Sequence, residues 1–191
     1  MALSLAVIVC STRQARVGPQ VADWFESVAR EHGAFEVSVV DLADVALPLL
    51  DEPAHPSKQL YEHEHTKRWA AIVDRADAFV FVTPEYDYFA PASVINAIQY
   101  LAKEWQYKAA GIVSYGGVSG GLRSAQTLRL LLVNLDVHPV KDTVSVQFIA
   151  RQIHDGVLTP PDHAQSSAVK MLDELHTWSV ALATVRKPTL S

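Results

Sequence analysis

Ser11, Thr12, Arg13 and Arg16 crowd into VIVCSTRQARVG, residues 7–18, where a run of strand-forming residues gives way to a glycine. Beyond it Val21, Trp24, Phe25 and Val28 recur at helical spacing. Hydroxyls and guanidinium groups between a buried strand and a helix start point to an anion. The first turn of a helix offers unpaired N–H groups and the positive end of its dipole, and the arginine fork matches phosphate oxygens. Ser and Thr also cap helices and surface arginines are often only solvated, so the pairing of both arginines with a tight turn is what favours the anion. Neither G-x-x-x-x-G-K-[ST] nor G-x-G-x-x-G is present, so a terminal monophosphate suits the loop better than a nucleotide triphosphate or a dinucleotide.

Two further polar stretches follow apolar runs. TPEYDYFAPA, residues 83–92, supplies Pro84, Glu85, Tyr86 and Asp87 and three aromatic rings. SYGGVSGG, residues 114–121, supplies Ser114, Gly116, Gly117, Val118 and Ser119. Glycine lets backbone approach a flat ligand and aim N–H groups at its oxygens. A flexible turn and a core-capping aromatic cluster explain each loop singly. Together the three describe a phosphate clasp, an aromatic wall and a glycine-lined rim, which are the needs of a flavin mononucleotide.

These loops must be held by the elements before them. Residues 3–9, 77–83 and 109–114 are near-continuous apolar runs, as in strands covered on both faces; residues 35–41 alternate, as in a strand nearer an edge. Helical patterns occupy 18–31, 91–102, 121–134 and about 162–184, and a last strand is expected within 136–148. Strands alternating with helices predict an α/β fold, a doubly wound five-stranded parallel sheet with helices on both faces. The three loops then meet at the C-terminal edge, where such sheets bind ligands. Residues 42–61, with Pro48, Pro53 and Pro56, read as a long loop.

Composition narrows the rest. A chain of 191 residues without a linker-like stretch predicts one domain over 1–191. A net charge of −5 argues against a nucleic-acid footprint, and no stretch reaches the roughly 18 apolar residues of a membrane span. The single cysteine, Cys10, excludes an internal disulfide and suits a reducing cytoplasm; at a buried strand end it reads as inert. MALSLAVIVC lacks a basic start and reads as a first strand, not a signal peptide. His63 and His65 resemble metal ligands, but histidines two apart on a helix point to different faces and no third ligand is evident. No metal is expected, and Asn96 reads as a packing or capping residue.

STRQARVG, TPEYDYFAPASVINAIQYL and SYGGVSGGLRSAQTLRLLL, in that order and spacing, resemble the NADPH-dependent FMN reductases of flavodoxin-like fold, which include soluble quinone, chromate and azo-dye reductases. The resemblance implies that Ser11, Thr12, Arg13, Arg16, Val17 and Gly18 bind the FMN phosphate. It places Pro84, Glu85, Tyr86 and Asp87 along one side of the ring, with Ser114, Gly116, Gly117, Val118 and Ser119 on its pyrimidine edge. It also implies hydride transfer from NADPH or NADH through FMN to quinones, free flavin or similar small acceptors, in a homodimer or homotetramer. No side-chain acid or base is needed for that transfer. Cys10 stands where the family often has glycine, and Asp87 where it often has asparagine. The competing expectation is a flavodoxin-type electron carrier with no pyridine-nucleotide substrate; such carriers are usually more acidic and lack arginine in the phosphate loop.

Overall fold

The computed structural model describes residues 2–186. The chain runs β1 (Leu3–Val9), α1 (Gly18–His32), β2 (Phe35–Asp41), α2 (Leu42–Val45), α3 (Glu64–Arg75), β3 (Ala78–Pro84), α4 (Ala92–Gln99), β4 (Ala109–Tyr115), α5 (Leu122–Val133), β5 (His138–Pro139), β6 (Val144–Val146), β7 (Ile153–His154), β8 (Val157–Leu158) and α6 (Asp162–Arg186). The main sheet is parallel in the order β2-β1-β3-β4-β5, with β6 also on β4. This is the flavodoxin-like order, whose switch point lies between β1 and β3. The alternating strand β2 is at the edge, as its pattern predicts.

Burial follows the sequence pattern. Every residue of β3 and β4 is buried, because helices cover both faces. On one face α1 and α6 pack Phe25, Val28, Met171 and Leu172 against the sheet. On the other, α3, α4 and α5 bring Trp69, Val94, Ile98 and Leu128 to it. The two buried indoles are satisfied: Trp69 donates Nε1–H to Ala97 O at 2.8 Å and Trp105 to Ile98 O at 3.1 Å.

Three features depart from expectation. The fifth strand is split: His138 and Val140 donate to β4 on either side of Pro139, whose missing N–H falls on the open edge. The break comes beyond them, where Glu174 of α6 accepts the N–H groups of Lys141 and Asp142 at 3.1 and 2.9 Å. The helix expected over 91–102 ends at Gln99; beyond it Tyr100, Leu101 and Trp105 turn into the core. The 42–61 stretch is not all loop, since it opens on α2 and holds a short 3₁₀ turn at Pro56–Lys58.

Candidate functional site

The three polar loops lie at the C-terminal ends of β1, β3 and β4, neighbouring strands of one sheet edge. In the first, the backbone N–H groups of Ser11 to Ala15, Val17 and Gly18 find no acceptor among the described residues. Ser11 and Gly18 are buried and Val17 is half-buried, positions where N–H groups seldom stay unpaired. With the exposed donors of Thr12 to Ala15 beside them they form a cluster at the start of α1 that suits an anion. Gly18 permits the tight turn: a Cβ there would lie 2.5 Å from Ser11 Oγ, 2.9 Å from Val9 Cγ1 and 3.0 Å from the Tyr115 hydroxyl. Tyr115, buried at the end of β4, donates to Ser11 Oγ at 3.2 Å. Burial pushes that phenol well above the usual tyrosine range, so it stays protonated and leaves the Ser11 hydroxyl proton free to turn toward a ligand.

The two arginines are placed differently. Arg13 is exposed, with its guanidinium carbon 5.6 Å from the Tyr86 ring centre. Arg16 is mostly buried, and its Nη2 meets Asp41 Oδ2 at 2.6 Å. Its Nε is buried with no partner among the described residues. Asp41, at the end of β2, also caps α2 by accepting from Ala43 N at 2.9 Å. Thr12 is exposed beside a cavity of about 300 Å³ lined by Leu42, Ala46, Leu47, Ser93 and Asn96 on the α2–α4 side.

In the second loop Tyr86 and Phe89 exchange both backbone hydrogen bonds at 3.0 Å. Between them Asp87 (φ 48°) and Tyr88 (φ 74°) form a type I′ turn, which needs left-handed backbone at both central positions. Asparagine and aspartate tolerate that conformation better than most residues, which suits Asp87 to this position. Asp87 is exposed, and its left-handed backbone is part of the turn. Glu85 turns toward the glycine loop and the start of α5: it accepts from Arg123 Nε at 2.6 Å, Arg123 N at 3.1 Å and Ser119 Oγ at 3.1 Å, and pairs with Arg123 Nη2. Burial would raise its carboxyl, but these hydrogen bonds and the Arg123 charge outweigh it and hold the group below the usual glutamate range.

The glycine loop divides its groups. Ser114 is buried and donates to Gly120 O at 2.8 Å, so it shapes the loop from behind. Gly116 N–H is taken by Val146 O at 3.2 Å, and the carbonyls of Gly116 and Gly117 accept from Ile149 and Phe148. What remains without a partner among the described residues is the N–H set of Gly117, Val118 and Ser119. A Cβ on Gly117 would meet nothing within 4 Å, which leaves the rim open to a flat ligand.

An unpaired N–H cradle, flanking guanidinium groups, an aromatic turn and a second N–H set fit FMN. The residue types alone do not reveal Arg123, Asp41 and Tyr115, although all three hold site residues in place. Arg123 lies two residues past the glycine loop and is the cation nearest to it in the sequence, which is the one signal that marks it.

The remaining candidates resolve differently. Cys10 is buried, and burial with the nearby Asp41 charge pushes its thiol well above the usual range, as expected of an inert cysteine. Asn96 does more than pack: it donates to Pro48 O at 2.7 Å and accepts from Leu50 N at 3.0 Å, pinning the 48–50 strap. The histidines overturn the expectation of separate faces. His63 precedes α3 in extended backbone, so its ring stacks on that of His65 at 5.1 Å and 14°, and both approach Asp51. No group of three ligands that could hold a metal occurs among the described residues. No helix there is long and apolar enough to cross a membrane.

The chain matches known proteins over the same region. The sequence model described as NADPH-dependent FMN reductase matches residues 3–151. An NAD(P)H-dependent FMN reductase, C4B3.06c of Schizosaccharomyces pombe, is 41% identical over 119 residues, covering 61% of this chain and 60% of the relative. A quinone reductase of Pseudomonas putida (strain KT2440) is 31% identical over 140 residues, covering 70% and 72%. Among solved structures, the flavoenzyme NAD(P)H:(acceptor) oxidoreductase FerB of Paracoccus denitrificans superposes with a TM-score of 0.73 at 19% identity, covering 94% of this chain and 98% of its own.

Proposed function

The chain belongs to the NADPH-dependent FMN reductase family, and from that membership we propose that it passes electrons from NADPH or NADH through FMN to quinones, free flavin or similar small acceptors. The observation that carries this reading is the unpaired N–H cradle of Ser11–Ala15 beside Arg13 and Arg16, at the same sheet edge as the free N–H groups of Gly117–Ser119. FMN held there would supply the redox chemistry between pyridine nucleotide and acceptor.

The chain's own part is binding, orientation and electrostatics. Ser11, Thr12, Arg13, Arg16, Val17 and Gly18 hold the phosphate. Pro84, Tyr86 and Asp87 wall the ring on one side, and Glu85 ties that wall to the glycine loop. Gly117, Val118 and Ser119 present N–H groups that favour negative charge on the ring's pyrimidine edge as it is reduced, while Ser114 and Gly116 set the loop's shape. No side chain is assigned as acid or base. Relatives named as reductases favour the enzyme over the electron carrier.

The visible spectrum of the purified protein tests the cofactor, and its bleaching by NADPH or NADH with no partner protein tests the enzyme. The expected kinetics are ping-pong, because pyridine nucleotide and acceptor use the same open ring face. Intersecting double-reciprocal lines would contradict that arrangement.

The assembly we infer is a homodimer or homotetramer of one FMN-binding domain, working in the cytoplasm. Its support is the apolar surface left bare near the cleft and the strap, including Leu49 at 81% and Phe89 at 59% exposure. Sedimentation at micromolar concentration should give a particle of at least twice the 21.0 kDa chain mass; a clean monomer removes the claim.

A further inference from the structure

Arg123 sits in the first turn of α5, two residues past the glycine loop, and its side chain reaches back to the loop that follows β3. Two of its groups grip the Glu85 carboxylate from the side chain and its own backbone N–H makes a further bond, while Ser119 Oγ supplies another donor. One carboxylate, 8% exposed, thus ties the 84–91 loop to both the glycine loop and α5. The flat of the guanidinium also lies 3.8 Å from the Tyr88 ring centre.

Both loops need this support. Asp87 and Tyr88 hold left-handed backbone that side-chain-bearing residues seldom adopt, and such conformations persist only where their surroundings impose them. The glycine loop closes through Gly120 and Gly121, both at positive φ. Gly116, Gly117 and Gly120 are tied from behind, while on the side of the 84–91 loop Ser119 is joined to Glu85. A solvated surface pair would add little. This pair is shielded on the Glu85 side and its carboxylate oxygens are hydrogen-bonded, the condition under which an ion pair fixes geometry.

We propose that Arg123 is a positioning residue that, through Glu85 and Tyr88, locks the 84–91 loop against the glycine loop and so sets the grip on the flavin ring but not on its phosphate. The inference rests on the FMN reading of the cleft. It separates two ends of one ligand, so two ligands test it: FMN, and riboflavin, which has the ring without the phosphate.

Arg123→Ala should weaken FMN and riboflavin by the same factor, about tenfold or more. The visible circular dichroism of bound FMN should change with it, since the ring's surroundings loosen. Arg123→Lys should recover only part of the loss, because lysine restores a point charge without the fork or the stacking face. Glu85→Gln with Arg123→Ala should be no weaker than the weaker single variant, as for two residues acting as one unit.

Unchanged affinity and dichroism in Arg123→Ala would overturn the proposal. A loss confined to FMN, or additive losses in the double variant, would overturn it as well. Should Arg123→Ala fail to fold, Arg123→Lys and Glu85→Gln carry the same comparison. Where riboflavin binds the parent too weakly to titrate, the dichroism at saturating FMN decides. A parent that does not bind FMN at all would refute the flavin reading itself, a result distinct from a parent that binds while Arg123→Ala matches it.

Discussion

Gly18→Ala is expected to raise the FMN dissociation constant about 10- to 100-fold and to lower the stability of the apoprotein by about 1–3 kcal/mol. The new methyl would sit 2.5 Å from Ser11 Oγ, 2.9 Å from Val9 Cγ1 and 3.0 Å from the Tyr115 hydroxyl. Val9 and Tyr115 are buried in the sheet and cannot retreat. Ser11 can change rotamer, but that breaks its bond to Tyr115 and takes its hydroxyl out of the phosphate cradle. Urea unfolding of the apoprotein and an FMN titration measure the two effects separately. Adding Ser11→Ala to Gly18→Ala should restore part of the stability, because the closest obstruction is gone, without restoring affinity. An alanine variant that binds FMN as tightly as the parent would show that the turn is not the clasp.

Arg13→Ala and Arg16→Ala should both weaken FMN, but not equally. Arg13 is exposed and pairs with no acid among the described residues, so its removal costs the charge-assisted contact alone, about 10- to 100-fold. Arg16 is 19% exposed and its partner Asp41 16%. Truncating it strands a carboxylate next to the phosphate cradle, where removing one member of a shielded pair is costly. Roughly 100- to 1000-fold is expected for Arg16→Ala, with about 1–3 kcal/mol of lost apoprotein stability, since the pair is not fully buried. Asp41→Asn in the Arg16→Ala background should recover part of both losses. Asparagine removes the stranded charge while its side-chain oxygen can still accept from Ala43 N at the start of α2. Equal effects of the two arginine variants, with no recovery from Asp41→Asn, would leave Arg16 as a structural residue only.

The sheet and the three loops are legible in the sequence because buried parallel strands leave unbroken apolar runs such as LSLAVIV and AFVFV, each followed at once by polar residues. The edge position of β2 shows in the alternation of FEVSVVD. Other features depend on partners distant in the chain. Nothing local marks 136–148 as two short pieces, since Glu174 of α6 makes the break. Arg16 meets Asp41 across 25 residues and Arg123 meets Glu85 across 38, and no spacing rule links such pairs. Helical periodicity misleads at His63, because it assumes a helix that begins one residue later, at Glu64. Thr66, Trp69 and Val73 do carry the spacing of α3, and Asp155-Gly156 is the signal of the β7–β8 hairpin.

The hydrogen bond from Tyr115 to Ser11 spans 104 residues, and it bears on the order in which the protein is made and folds. Residues 11–18 leave the ribosome before β4, yet their cradle lacks a wall until β4 has paired with β3. The glycine loop waits longer still, because Gly116 N–H is held by Val146. Contacts of such long sequence separation form late and slowly. A nascent or partly folded chain therefore offers no finished flavin site. The cofactor binds the completed sheet edge and stabilises the native state by mass action, so chain that has not closed the β4 and β6 pairings cannot take up flavin.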